Sequence, residues 1–341
     1  MDMDSVGYVR PFSTIYVEEA IMEHSDTQRI LTRFEHSKII PITHYKDIFN
    51  RRHQDAAAQK QAQALILAQK EGALIYKGAP VCQDFGNSHF YYTSCVMNCI
   101  FDCEYCYLQG MYPSGHLVLF VNLEDIFTQV AALLAEHPVY LCISYDTDLM
   151  ALENITGFVA RWYDFASKHP DLTIEIRTKS GAFHLFEHLK PLDNVVFAWT
   201  ISPAMIIEKY EHHTASFGVR LENIRRAADL GFRVRICLDP LIYIPDFEQV
   251  YNAMIREIFA RPITLMDASV GVFRVSNDYM KRMRHMRPEC ALIHFPFVTE
   301  DGVYHYGAEL SGRMVAHVRK CLAAYMPEEK IFTWGDQDIG G

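Results

Sequence analysis

The chain has 341 residues, half of them hydrophobic and 13% aromatic, enough for a large buried core in one barrel-sized domain or a barrel with an appendage. A formal net charge of -10 argues against indiscriminate nucleic-acid binding, whose affinity comes mostly from neutralising phosphates, although a local basic groove stays compatible with it. No apolar run is long enough to span a bilayer, and the acidic start Met1-Asp2-Met3-Asp4 has no apolar segment behind it. Nine cysteines in such a chain suit reduced thiols and metal ligation in the cytoplasm better than a disulfide framework.

Residues 1–88 are polar and helix-prone. The stretch 55–68 lacks Gly and Pro and is rich in Ala, Gln and Leu, so a helical N-terminal extension is expected here. Beyond Gly72, short β-branched and aromatic runs alternate with longer helical patterns. Strands are expected at 89–93, 117–122, 139–144, 172–177, 195–201 and 233–238, with helices at 123–136, 149–168 and 219–230 between them. Alternation of this kind means βαβ units and a parallel sheet. Six units are too few for a closed eight-stranded barrel. The expected class is therefore α/β: a partial (β/α)6 barrel over 89–260, open on one side.

A mixed α+β region, 261–341, is expected to complete the barrel. It holds a further strand at 267–275, a surface helix at 313–326 and a closing strand at 330–334. The run Lys281-Arg-Met-Arg-His-Met-Arg287 is the densest basic segment of the chain. As a helix it spreads its cations over several faces, which reads more readily as a solvated surface than as a phosphate-binding patch.

The chemistry concentrates just after the first barrel strand, in Cys99-Ile-Phe-Asp-Cys103-Glu-Tyr105-Cys106-Tyr107. Three thiolates in one short loop suffice for three irons of a cubane, leaving the fourth iron open to a small molecule. Fully ligated clusters normally take four cysteines, and structural zinc takes a second close pair, which has no counterpart downstream. Cys95 does not belong to a competing triad, because Asp102 stands where its third cysteine would fall. Cys82 and Cys95 flank the first barrel strand and are too few for a second cubane. Cys290, Cys321 and the adjacent His212 and His213 carry no convergent spacing.

The C-x-x-x-C-x-x-C loop resembles the signature of radical S-adenosylmethionine (SAM) enzymes, whose open iron chelates SAM. Both tyrosines and the Leu108-Gln109 tail make it similar to the spore photoproduct lyase family. The likeness continues at Phe49-Asn50-Arg51 with Gln54, at Thr178-Lys179, at Trp199-Thr200-Ile201-Ser202-Pro203 and at Tyr210-Glu211 with Thr214-Ala215-Ser216. The resemblance implies a radical-SAM-type barrel with a [4Fe-4S] cluster on Cys99, Cys103 and Cys106. It places SAM beside Tyr105, Thr147, Lys179 and Thr200, with Lys179 on the SAM carboxylate. It further implies a lyase of DNA repair that reverses a thymine dimer, the spore photoproduct, through a 5'-deoxyadenosyl radical. The partners so implied are thymine-dimer-containing DNA and a one-electron donor such as flavodoxin or ferredoxin, with no membrane.

One departure bears on the chemistry. The family's hydrogen-donating cysteine lies in a Ser-Cys-Thr-Ser-Asp stretch, which here reads Ser144-Tyr145-Asp146-Thr147-Asp148. Tyr145 stands at the donor position and, with Tyr105 and Tyr107, is expected at the barrel mouth. Cys142 is expected on the opposite face of the strand from Tyr145, as a buried filler. Cys237 is the other donor candidate, on a polar stripe of Arg235, Cys237 and Asp239 facing the lumen. That stripe suits either a more polar substrate or an internal Arg235–Asp239 ion pair. A radical SAM relative acting on a different, non-DNA substrate is the alternative these departures support.

Overall fold

A computed structural model describes residues 11–79 and 82–333. Met1–Asp4 and Trp334 lie outside the described residues. The backbone of the fold is an eight-stranded sheet in strict chain order: Ile75–Lys77, Phe90–Thr93, Val139–Cys142, Leu172–Thr178, Val195–Thr200, Arg233–Leu241, Asp267–Val272 and Ile331–Thr333. The first pair is antiparallel and every later neighbour is parallel. Each strand lies beside its successor, so the order never reverses as it does in a doubly wound sheet. The fold is mixed α/β, and the C-terminal strands expected at 267 and 330 both extend the large sheet.

The helical N-terminal extension is not what forms. Strands Thr14–Glu18, Lys38–Ile42 and Leu65–Ala68 build a second sheet in this region. The good helix formers of 55–68 give a helix only over Ala56–Gln61, and the chain then turns into the Leu65–Ala68 strand. Tertiary burial overrides propensity here: all four residues of Leu65–Ala68 are buried, as expected of a strand covered on both faces. The strand expected at 117–122 forms over Leu117–Phe120, but it pairs with Leu65–Ala68 in the second sheet rather than joining the large one. Ile75–Lys77 goes the other way and joins the large sheet. The sheets therefore do not divide at residue 88.

Opposite faces of those two strands serve two cores. Leu65, Leu67, Leu117 and Leu119 belong to the main core, while Ile66, Ala68, Val118 and Phe120 form a smaller one with Ile48, Phe49, Leu108 and Tyr112. Cys99, Cys106 and Tyr107 pack against this smaller core. The second sheet is thus the seat of the cysteine loop, and the period-two alternation of strand side chains is what lets one strand serve both sides.

The basic run folds as the helix Asn277–Met286, and neither sequence expectation describes its arginines fully. Arg282 donates to the Gly110 carbonyl at 2.9 Å, and Arg287 pairs with Asp102 inside the cysteine loop. These cations hold the loop from outside. The helix approaches so closely that a Cβ on Gly110 would fall within 2.5 Å of the Tyr279 Cα and carbonyl oxygen. Gly110→Ala is expected to cost about 1–3 kcal/mol through this overpacking, measured by urea unfolding. An unchanged midpoint would show that the helix Asn277–Met286 is free to move away from the Leu108–Met111 turn of helix.

Candidate functional site

The cysteine loop is pinned from several elements. Its Asp102–Cys103 segment pairs antiparallel with Glu211–His212. Lys60 donates to the carbonyls of Cys99 and Phe101, the latter at 3.1 Å, and Gln63 donates to Cys99 at 3.1 Å. Gln109 reaches back to the Cys103 carbonyl at 2.7 Å. Cys103 is buried, with Cys99 and Cys106 half-buried. Burial pushes the Cys99 and Cys103 thiols up to about 12 and that of Cys106 to about 11. Among the described residues no three His, Cys, Asp or Glu side chains are grouped as ligands of a single metal ion.

The pairing with Glu211 brings a charged group beside the loop. Lys179 Nζ lies 3.8 Å from Cys103 Sγ, donates to the Tyr105 hydroxyl at 2.8 Å and sits 3.4 Å from Glu211 Oε1. Arg220, with no exposure, closes on Glu211 Oε2 at 2.5 Å and donates to the Thr200 carbonyl at 3.0 Å. Against the upward push of burial, Arg220 and Lys179 hold the Glu211 carboxyl down at about 2. Burial disfavours a charged amine at Lys179, but Cys103 and Glu211 together raise its pKa well above the usual lysine range. Burial and then Glu211 keep the Tyr105 phenol protonated.

Asp148 sets the position of Lys179. It caps the helix Leu149–Thr156 through the Ala151 N–H, and it accepts from the Lys179 backbone N–H at 2.6 Å and the Thr178 hydroxyl at 2.9 Å. An aspartate just before an apolar helix is a recognisable start signal. Its second role at the site leaves no such mark, and neither do the roles of Glu211 and Arg220. Thr200 ends its strand opposite Cys237. The hydroxyl oxygen of Thr147 is buried without a hydrogen-bond partner.

Of the three tyrosines expected together, Tyr107 meets Tyr145, while Tyr105 is bonded to Lys179 and Glu211 instead. Tyr145 stacks on Tyr92 at 4.1 Å, its ring lies 6.2 Å from that of Tyr107, and its carbonyl accepts from the Tyr107 hydroxyl at 2.7 Å. Tyr92 stands in register with Cys142, so Cys142 and Tyr145 share a side. The expectation of opposite faces fails because the strand ends at Cys142, and alternation does not carry through the following turn. The Arg235–Asp239 pair does not form either. Arg235 binds Asp267 on the adjacent strand, together with Glu175 and Tyr140, while Asp239 lies 3.8 Å from Arg177. Four residues along a strand span about 13 Å, whereas Asp267 is the direct cross-strand neighbour of Arg235. Cys237 is buried in this polar layer with no exposure.

A family model described as spore photoproduct lyase matches residues 11–283. The chain belongs to the spore photoproduct lyase family. Two curated relatives, both named spore photoproduct lyase, are similar to it. One from a Geobacillus species is 24% identical over 184 residues, covering 52% of this chain and 53% of the relative. One from Clostridium acetobutylicum is 20% identical over 168 residues, covering 48% and 49%. The chain thus spans about half the length of the curated relatives it matches. The fold is also that of solved structures of the family. A spore photoproduct lyase complexed with dinucleoside spore photoproduct has a TM-score of 0.80 at 18% identity, covering 95% of this chain and 99% of that one. A variant with bound AdoMet and the same dinucleoside has a TM-score of 0.78 at 19% identity over the same shares.

The ion cluster behind the loop is open to a direct test. Arg220→Met leaves the buried Glu211 charge with Lys179 as its remaining cation and is expected to cost about 3–5 kcal/mol in urea unfolding. A loss below about 1 kcal/mol would mean that Lys179 alone neutralises Glu211.

Proposed function

We propose that this chain is a radical SAM lyase that reverses the spore photoproduct in DNA. The observation that carries the reading is the juxtaposition of Lys179, Tyr105 and Glu211 with Cys103. It puts a buried, charged amine beside the cysteine triad, which an electron-transfer or zinc loop does not require. The residues fit the cofactors the family uses. Cys99, Cys103 and Cys106 are a soft, three-thiol donor set suited to iron–sulfur ligation. Lys179 is a cation for a buried carboxylate, and the partnerless Thr147 hydroxyl is a polar group awaiting a ligand. The chemistry that a [4Fe-4S] cluster and SAM supply when bound is one-electron cleavage of the sulfonium to a 5'-deoxyadenosyl radical.

In this reading Lys179 and Thr147 orient SAM, and Thr200 lines the same space. Tyr105 acts through its bonds to Lys179 and Glu211, and Tyr107 links the triad to the Tyr145 backbone. The finer architecture belongs to the same proposal: the large sheet curls into a partial barrel around these groups. Sequential strand order supports it, and so do the contacts of Arg235, which reaches Tyr140, Glu175 and Asp267 on three different strands. Thymine-dimer-containing DNA, a one-electron donor such as flavodoxin or ferredoxin, and a cytoplasmic setting complete the reading. Among the described residues no helix is long and apolar enough to cross a membrane.

The second reading, a relative with a non-DNA substrate, rests on Tyr145 at the donor position. The polar stripe no longer favours it, because Arg235 has no exposure and its partners are internal. Anaerobic reconstitution with iron and sulfide separates the cases. Each of Cys99→Ala, Cys103→Ala and Cys106→Ala is expected to lose the cluster absorbance and 5'-deoxyadenosine formation. Lys179→Ala is expected to keep the cluster and weaken SAM binding by about tenfold or more, as for a lost charge-assisted hydrogen bond. SAM cleavage without repair of dinucleoside spore photoproduct would favour the second reading. A cluster that survives Cys103→Ala would remove the ligand assignment.

A further inference from the structure

The segment leading into the Phe90–Thr93 strand touches both the third and the last strand of the large sheet. The Phe85 ring lies over the Arg235 guanidinium, 3.2 Å from its carbon, and packs on Tyr140 and Phe332. Gln83 donates to the Thr333 carbonyl at 3.1 Å. Thr333 ends the last strand and Tyr140 sits in the third, so this segment bridges the span between them. Cys82 is held beside Gln83, and its sulfur lies 3.4 Å from the Tyr145 hydroxyl oxygen. Burial and then the Cys82 thiol keep that phenol protonated. Tyr145 in turn receives the Tyr107 hydroxyl on its carbonyl, one residue from the third cysteine of the triad.

Three thiols other than the triad border this region. Cys142 and Cys237 are buried at 6% and 0% exposure in the layer of Glu175 and Arg177. Cys82 is half-buried and touches the tyrosine. An S–H bond is weaker than the C–H bond it would form on a carbon radical, so a thiol delivers hydrogen downhill. A phenol alone is the poorer donor.

We propose that Cys82 and Tyr145 form a hydrogen-atom relay, in which the Cys82 thiol delivers hydrogen to the substrate radical and the Tyr145 phenol restores it. The proposal rests on the lyase reading above. In the first step the Cys82 S–H bond breaks homolytically and a C–H bond forms on the thymine carbon radical, leaving a thiyl radical on Cys82. In the second the Tyr145 O–H bond breaks, the S–H bond re-forms, and a phenoxyl radical remains on Tyr145. One electron from the low-potential donor that serves the cluster and one proton from water return the phenol. Tyr145 therefore resupplies a donor contributed by a different loop, which accounts for a tyrosine at the family's donor position.

Two measurements test the relay. In the apo-protein, the S–H infrared band that disappears in Cys82→Ala is expected to shift in Tyr145→Phe; an unmoved band means that the pair makes no contact and overturns the proposal. In the reconstituted enzyme with dinucleoside spore photoproduct in D2O, the wild type is expected to place deuterium in the repaired thymine methyl. Cys82→Ser is expected to lower repaired product per 5'-deoxyadenosine about tenfold, with side products in its place. Tyr145→Phe is expected to repair at most about one lesion per enzyme before the ratio falls. Cys142→Ser is the control and should keep the wild-type ratio. Repair by Cys82→Ser at the wild-type ratio, or loss in Cys142→Ser instead, overturns the relay and leaves the lyase reading standing. A wild type that cleaves SAM and repairs nothing overturns the lyase reading and the relay with it.

Discussion

Glu211 is the constraint around which the site is organised. Its carboxylate is out of contact with water and shares its two oxygens among Arg220, Lys179 and Tyr105. A buried charge without partners is strongly destabilising, so these side chains can adopt few other arrangements. The same residue stands directly opposite Cys103 in the antiparallel pairing, which the Glu104 N–H donating to the Tyr210 carbonyl at 2.9 Å holds. One short antiparallel pairing therefore couples the position of the triad to that of the lysine beside it. Placement of Lys179 beside Cys103 becomes a consequence of satisfying a buried acid.

The rest of the loop is held by groups whose first role is structural. The second sheet presents Ile66, Ala68, Val118 and Phe120 to Leu108 and Tyr112, which gives the loop an apolar seat. Lys60 and Gln63 satisfy its carbonyls from one side, and Arg282 and Arg287 bind it from the other. Loop backbone removed from water needs such partners. The N-terminal region and the basic helix thus act on the chemistry without containing it, and both lie far from the triad in sequence.

The interior of the large sheet follows the same logic. Arg235 is fully buried, yet Asp267, Glu175 and the Tyr140 hydroxyl occupy its donors and Phe85 covers its face. A planar guanidinium with bidentate acidic partners suits burial better than a lysine would. The partners of Arg235 are thus all internal, and the tyrosines Tyr92, Tyr107 and Tyr145 collect apart from them.

What the sequence alone determined is what chemistry keeps local. Three cysteines within eight positions must share one loop whatever surrounds them, and alternating apolar runs and helical stretches announce a parallel α/β sheet. The parity of Arg235, Cys237 and Asp239 placed them in one stripe. The tertiary structure decided every pairing across distance. Leu117–Phe120 reads as a strand from its residues, but which sheet accepts it depends on Leu65–Ala68 offering a matching two-faced edge. Asp239 shares a stripe with Arg235, but the cross-strand neighbour Asp267 is closer. Cys142 and Tyr145 share a side because a strand stops, and no periodicity marks its end. Glu211 with Arg220, and Cys82 with Tyr145, are meetings of residues whose separate sequence contexts carry no sign of the partner. Side-chain partners are chosen by geometry after the chain has closed on itself, whereas spacing along the chain reports only the bonds made before that.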